Sequence, residues 1–372
     1  MYLYEAAYPA KADEGGREQE SEEALMNATA IANLTPVELH ILAQKLGNTP
    51  MEPIYLVLGG IARKIHLKLE SENPTGSVKD RTGYGLIQSL EAQGLLSKGS
   101  VVIESTSGNL GVALSFFCKL RGYKFVAVID PKTTQENLAK MQALGAQIEM
   151  VDQPDENGGY LLSRLERVRE LCQRSHTYVW TDQYSNPANP HIHYLSTGPE
   201  IYRQMHGDVD ALFIAVSTGG TLAGIGCFFR EVSPSTTIIG VDAQGSVVFG
   251  TPPAPRKLTG IGSSRLSSFI TRDLYDLHML VGDEEAFAFC LALWKTTGIK
   301  VGGSSGAVLA ACAKYLLAHP EVRNVVCLCA DSGNNYTNSI FNDDWVQKQG
   351  LDLSKERLEP VQDIAYRLPY SR

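Results

Sequence analysis

The feature that most constrains this chain is an alternation. Short β-branched runs at 101–103, 125–129, 148–151, 212–216, 238–241 and 325–328 are separated by stretches of helical spacing at 110–120, 136–144, 161–172, 222–232, 284–294 and 308–317. Strand, helix, strand in that order brings the strands together in parallel, with helices on both faces of the sheet. The expected fold class is α/β. At 372 residues the chain has room for about two such units. Ahead of the pattern, residues 1–24 read as an acidic, polar arm that cannot bury enough apolar surface to order itself. Residues 25–46 have helical spacing and are expected to pack on the body or on a partner subunit.

Composition removes several classes of function. Asp and Glu total 41 against 33 Lys and Arg, a net charge of −8, which is the wrong sign for a protein that displaces counterions from nucleic acid. No apolar run approaches the roughly 18–20 residues that span a bilayer, and the N-terminus has no basic start followed by an apolar stretch. Seven scattered cysteines with no C-x-x-C spacing fit buried thiols in a reducing compartment, and a cytoplasmic location is expected.

Small polar residues cluster where strands should end and helices begin. These loops are NPTGSVKD (73–80), STSGN (105–109), QYSNPANP (183–190), STGGT (217–221), GGSSG (302–306) and DSGNN (331–335). Ligands bind at that edge of open α/β sheets, so the loops point to one cleft assembled from distant segments. STGGT is neither a P-loop nor a G-x-G-x-x-G fingerprint. Its glycines and the helix that follows can cup a phosphate, and a tight turn without a ligand fits it equally well. GGSSG matches the G-x-S-x-G nucleophile elbow, but after Ser304 the only histidine is His319, and no acid stands between them. The Ser, acid, His order of an α/β-hydrolase therefore fails, leaving Ser304 as a hydrogen-bonding group. His191 and His193 have no third ligand at a recognisable spacing, so a structural role is preferred and no metal is expected. Lys79 stands out because a glycine turn leads it into a helix. A lysine desolvated in such a cleft has a lowered pKa and can form a Schiff base. Together with a phosphate cup, it points to pyridoxal phosphate.

These residues carry a resemblance. NPTGSVKDR (73–81), STSGNLG (105–111), NPANP (186–190), TGPE (197–200), STGGT (217–221) and GSSG (303–306), in that order, resemble the fold-type II pyridoxal-phosphate enzymes and, within them, the cysteine synthase family. The likeness runs from LGNTP (46–50) to the loop at Asp331. It implies two three-layer α/β domains with central, twisted, mostly parallel sheets. The expected division is an N-terminal extension at 1–40, a large cofactor-binding domain from 41–79 and 191–372, and a small mobile domain at 80–190. It implies pyridoxal 5′-phosphate bound covalently to Lys79, which then serves as acid and base. Asn109 would hold the cofactor's 3′-oxygen. Thr218, Gly219, Gly220 and Thr221 would cradle its phosphate, and Ser304 would meet the pyridine nitrogen. Thr106, Ser107 and Gly108 would bind the carboxylate of the amino acid joined to the cofactor. A serine hydroxyl at the ring nitrogen delocalises a carbanion less than an aspartate would, which favours loss of a β-leaving group through an α-aminoacrylate over transamination. A homodimer is implied as well.

Other segments resemble a narrower group, the N-(2-amino-2-carboxyethyl)-L-glutamate synthases, which join O-phospho-L-serine and L-glutamate on the route to diaminopropionate for siderophores or antibiotics. They are VIDPK (128–132), IEMVDQPDENGGYLLSR (148–164), GVDAQGSVVFG (240–250) and GIGSSR (260–265). By that likeness Arg164, Tyr184 and Ser217 would hold the incoming glutamate, and Arg265 would meet an anionic group of either substrate. Arginine reads carboxylates and phosphates through paired hydrogen bonds, which fits two such substrates. NPANPHIHYLSTGPE (186–200) is closer to ordinary cysteine synthases, so an O-acetylserine or O-phosphoserine sulfhydrylase is the alternative.

Overall fold

The computed structural model describes residues 33–155 and 159–366. The acidic arm at 1–24, the start of the 25–46 stretch and Gly158 lie outside the described residues. The chain begins with a short helix, α1 (Pro36–Ala43). Pro36 stands in its first turn, and Thr35 and Glu38 form a reciprocal cap, the Thr35 amide donating to the Glu38 carboxylate at 2.8 Å. That start signal is why the described helix begins at residue 36. A hairpin follows, β1 (Met51–Leu58) and β2 (Ile61–Leu69), turned by Gly59 and Gly60, both at positive φ.

The next segment alternates as the sequence pattern predicts: α2 (Lys79–Ala92), β3 (Val101–Ser105), α3 (Asn109–Arg121), β4 (Lys124–Ile129), α4 (Gln135–Ala143), β5 (Gln147–Met150), α5 (Leu161–Arg174) and β6 (Tyr178–Trp180). Helix α6 (Ala188–Ile192) passes through a π turn, His193–Thr197, into α7 (Gly198–Gln204). The remaining elements are β7 (Ala211–Ala215), α8 (Gly220–Val232), β8 (Thr237–Ala243), β9 (Leu277–Val281), α9 (Asp283–Thr297), α10 (Gly303–Ala318), β10 (Val325–Cys329), α11 (Asp343–Lys348) and β11 (Val361–Ala365).

The strands form two sheets. One is four-stranded in the order β5-β4-β3-β6 and wholly parallel. The other is seven-stranded, β11-β1-β2-β10-β7-β8-β9, parallel from β2 to β9 and antiparallel at the β11-β1-β2 edge. Side-chain alternation gives each sheet two buried faces. In the smaller sheet Val102, Phe125, Ala127 and Ile129 meet Leu86, Leu90, Leu114 and Met141 of α2, α3 and α4, while Ile103, Val126 and Val128 meet Val168 and Leu171 of α5. Leu39 of α1 packs into the first of these cores, so this helix lies on the body. In the larger sheet Phe213, Ile239, Val241 and Cys327 face α9 and α10, and Leu212, Ile214 and Val326 face Ile201 of α7 and Phe229 of α8. The molecule thus has two α/β domains. All seven cysteines are free and five are buried, Cys327 and Cys329 on one face of β10. Among the described residues, no helix is long and apolar enough to cross a membrane.

A buried ionic cluster joins the sheets' neighbouring elements. The Arg81 guanidinium on α2 holds both carboxylate oxygens of Glu200 on α7, each at 2.7 Å, and both of Glu70 at 2.7 and 2.8 Å. Lys68 on β2 donates to Glu200 at 3.0 Å, to Gln204 at 2.9 Å and to the Thr49 carbonyl at 2.7 Å. Burial alone would raise the Glu200 carboxyl, but hydrogen bonds and charge from Arg81, with help from the Asn48 backbone and Lys68, outweigh it and set its pKa at about 2. A carboxylate held below its ordinary value of 4.5 contributes stability that is present above pH 4.5 and is lost as pH falls towards 2. Glu200→Ala should cost about 3–5 kcal/mol, because it leaves two buried cations short of a partner. Denaturant unfolding at pH 7 checks the cost. Glu200→Gln should flatten the acid limb of the stability curve between pH 4.5 and 2 relative to wild type.

Candidate active site

The site is built at the C-terminal ends of parallel strands from both sheets. Lys79 is the first residue of α2. The turn before it is pinned to the strand β10 end, where the Val78 amide donates to the Ala330 carbonyl at 2.8 Å and Ser77 bridges to Asp331. Asp80 accepts from the Thr75 amide at 2.7 Å and from the Thr75 hydroxyl, and Arg81 is clamped as above. The backbone on both sides of Lys79 is therefore fixed where the residue lines the cavity. Burial pushes that ammonium down, with the carboxylates of Asp331 and Glu70 acting the other way. Burial also raises the neighbouring Asp80 carboxyl, to about 6 against its Thr75 hydrogen bonds.

Below Lys79 is a cup formed where β7 gives way to α8. Gly219 sits at φ 92, and a Cβ there would overlap the Ser267 hydroxyl; one at Gly220 would overlap the Asn189 amide. Only glycine lets the chain turn here. The cup is braced by Ser267 donating to the Thr218 carbonyl at 2.6 Å, Asn189 donating to the Thr218 hydroxyl at 3.2 Å and Ser217 donating to the Gly262 carbonyl at 3.0 Å. Lys79, Ser217, Thr218, Gly219 and Thr221 surround a small hollow of about 20 Å³ at the N-terminus of α8, where free amides and the helix dipole favour an anion. His193 lies behind it, buried, within 2.9 Å of the Thr197 hydroxyl, 3.1 Å of Thr82 and 3.3 Å of Thr221. His191 faces outward and stacks on Tyr194. The two side chains thus diverge, and among the described residues no group of three or more His, Cys, Asp or Glu is placed to hold a metal ion.

The hollow adjoins a cavity of about 320 Å³, lined by segments from both sheets, and shares Lys79, Ser217 and Thr218 with it. Thr106, Ser107, Gly108 and Asn109 line it where β3 enters α3, and Ser304 lines it from the first turn of α10. His319 lies beyond the other end of α10, roughly 20 Å away at 1.5 Å per residue, and stacks on Tyr315, so it cannot serve Ser304 as a base. Glu104, at the end of β3, is buried outside the cavity lining. It accepts from the Trp180 indole at 3.3 Å, the Gln183 amide at 3.0 Å and the Thr181 hydroxyl, and burial raises its carboxyl despite these bonds. This fixes Gln183 and Tyr184, which line the cavity. Arg164 projects in from α5. Its Nη1 is 3.3 Å from an Asp130 oxygen, yet both Nε and Nη1 are buried without a hydrogen-bond partner.

Sequence reasoning thus named Lys79, Thr106, Ser107, Gly108, Asn109, Arg164, Tyr184, Ser217, Thr218 and Ser304, and the structure brings them around one cavity, with Gly219 and Thr221 around the adjoining hollow. Gly220 supplies the first turn of α8. Arg265 stands apart: it is not part of the lining, and its guanidinium covers the Tyr184 ring at 5.1 Å. Lys132, Arg256 and Asp331 line the cavity and were not singled out. Lys132 and Asp331 belong to quoted segments, VIDPK and DSGNN, and only spatial convergence reveals them. Four basic side chains, Lys79, Lys132, Arg164 and Arg256, face two acidic ones, Asp130 and Asp331. That balance favours ligands carrying several negative charges.

Residues 42–331 match the family model described as "Pyridoxal-phosphate dependent enzyme". The chain is 38% identical over 331 residues to an N-(2-amino-2-carboxyethyl)-L-glutamate synthase of Cupriavidus metallidurans, covering 88% of this chain and 97% of that one. It is 39% identical over 303 residues to the protein of the same name in Ralstonia nicotianae, covering 82% and 90%. The solved structure of an O-acetylserine dependent cystathionine β-synthase from Helicobacter pylori superimposes with a TM-score of 0.73 at 30% identity, covering 80% of this chain and 97% of that one. The chain belongs to the pyridoxal-phosphate dependent enzymes, of the cysteine synthase fold, and pyridoxal phosphate is its cofactor. The cleft fits that group: a desolvated amine, an anion cup that tolerates no side chain, and a polar cavity between them. Gly220→Ala should drive Asn189 off Thr218 and weaken cofactor binding at least tenfold, read by titrating pyridoxal phosphate into cofactor-free protein.

Proposed function

We propose that the protein is a β-replacement enzyme that joins O-phospho-L-serine to L-glutamate, giving N-(2-amino-2-carboxyethyl)-L-glutamate and phosphate for 2,3-diaminopropionate synthesis. The observation that carries the second substrate is Arg164. A buried guanidinium whose Nε and Nη1 make no hydrogen bond, with only the Asp130 carboxylate 3.3 Å from Nη1, suits a dicarboxylate. Sulfide would require no such group. The two curated relatives point the same way.

When bound, pyridoxal phosphate supplies an electron sink for bond breaking at the substrate's Cα. In this reading Lys79 carries the cofactor and moves the Cα proton, for which its lowered pKa suits it. Thr218, Gly219, Gly220 and Thr221 hold the cofactor phosphate, Asn109 its phenolic oxygen and Ser304 its ring nitrogen. Thr106, Ser107 and the Gly108 amide, at the N-terminus of α3, orient the phosphoserine carboxylate so that the Cβ–O bond breaks and phosphate leaves. Arg164, Tyr184 and Ser217 hold glutamate with its amino group toward Cβ. The N–Cβ bond forms as that amine loses a proton, and Lys79 returns a proton to Cα. Arg265 acts through Tyr184, keeping its ring in place against the second substrate. A small domain spanning residues 80–190, closing on the large one, would exclude water from the reacting atoms. A cytoplasmic homodimer completes the reading.

Lys79→Ala should remove both the visible cofactor band and turnover. Arg164→Ala should raise the glutamate KM roughly tenfold to a hundredfold and leave phosphate release from O-phosphoserine in a single turnover near wild type. Equal loss of both half-reactions would take Arg164 out of the second-substrate role.

A further inference from the structure

One directed chain of hydrogen bonds runs beside the cavity and crosses between the domains. Lys140 Nζ on α4 donates to Asn335 Oδ1 at 2.6 Å. Asn335 Nδ2 donates to Asn109 Oδ1 at 3.0 Å, and Asn109 Nδ2 donates to Asp331 Oδ2 at 2.7 Å. The Tyr336 hydroxyl donates to the same Asp331 oxygen at 2.6 Å. Asn335, Asp331 and Tyr336 are buried. Lys140 and Asn109 belong to helices on the four-stranded sheet, and the other three follow β10 of the seven-stranded one.

The two ends of this chain decide its direction. The two ends of an amide are nearly the same size, so packing alone does not fix which one Asn109 turns to the cavity. An ammonium only donates and a carboxylate only accepts. With Lys140 at one end, Asn335 must turn its oxygen to Lys140 and its nitrogen to Asn109. With Asp331 at the other, Asn109 must turn its nitrogen to Asp331. Asn109 spends its oxygen on Asn335 and one N–H on Asp331, and it keeps one N–H for the cavity it lines. Burial raises the Asp331 carboxyl, while its Tyr336 and Asn109 hydrogen bonds and the charges of Lys79 and Lys140 favour its ionised form.

We propose that Lys140 and Asp331 are positioning residues that hold the Asn109 amide as a donor toward the cofactor's phenolic oxygen, and that they do so only while the two domains are in contact. This rests on the reading of Asn109 given above. Neither residue touches the reacting atoms in this role; each acts through Asn109.

The test uses Lys140→Met, Lys140→Arg, Asp331→Asn and Asn109→Ala in the full-length protein. Two quantities are read: the position of the visible absorption band with pyridoxal phosphate, and the dissociation constant from titrating the cofactor into cofactor-free protein. Lys140→Met should shift the band and weaken binding about tenfold. Lys140→Arg, which keeps a donor-only cation, should restore both. Lys140→Met combined with Asp331→Asn should weaken binding further than Asp331→Asn alone, because the substituted amide can still accept from Asn109 and only loss of the cation leaves the direction of the chain unset. If Asp331→Asn does not fold, the two variants at half-buried Lys140 decide the matter. A band that shifts in Asn109→Ala but not in Lys140→Met would overturn the relay alone. A wild-type protein with no band, or a band unmoved by Asn109→Ala, would overturn the reading of Asn109 and the relay with it.

Discussion

The fold around the active site depends on one buried ionic contact, the guanidinium of Arg81 held between Glu70 and Glu200. Four charged side chains are involved, and with Lys68 the two cations balance the two carboxylates. Such a cluster contributes little net stability, since desolvation costs about as much as the pairing returns. Its effect is geometric. It ties β2, the loop at Glu70, the start of α2 and helix α7 to a single arrangement. Lys79 lies two residues before Arg81 and inherits that rigidity, so a flexible side chain is presented from a backbone that cannot drift. Any change that removed one member would leave a buried opposite charge short of a partner, which makes the arrangement intolerant of alternatives.

The chemistry follows from what stands around that fixed amine. Burial lowers the Lys79 pKa, and α8 and α3 aim their N-termini toward the cleft, one from each domain. The cavity walls carry more positive than negative side chains in a protein whose net charge is −8. A local reversal of sign of this kind attracts anions where the overall charge would repel them. The Lys140 to Asp331 chain lies at the domain boundary, so the orientation of Asn109 and the contact between domains are parts of one device.

Much of this was legible in the sequence because parallel strands buried on both faces read as unbroken apolar runs. The cores of β3, β4, β7, β8 and β10 fall where those runs predict, and the glycine-rich loops fall at their C-terminal ends. The elements that escaped are at edges or break the pattern. β6 has three residues, β11 carries Gln362 and Asp363, and β9 exposes Leu277 and His278. β2 contains Lys68, a residue type that argues against a buried strand until Glu200, 132 positions away, is seen to meet it. The same limit applies to the site. Residues in contiguous motifs could be named, whereas Arg256, Asp331 and Lys140 gain meaning only from contacts such as that of Lys140 with Asn335, 195 positions on. Arg265, which the resemblance placed against a substrate, lies over the Tyr184 ring and outside the cavity lining.

The central claim is that Arg164, buried in the cavity wall, selects a dicarboxylate amine as the second substrate. It is tested most directly by competition. The purified protein, loaded with pyridoxal phosphate, is given O-phospho-L-serine with equimolar L-glutamate and sulfide, and the products are identified by mass. The account predicts the N-linked glutamate adduct as the main product. Cysteine alone would contradict it and make the protein a sulfhydrylase.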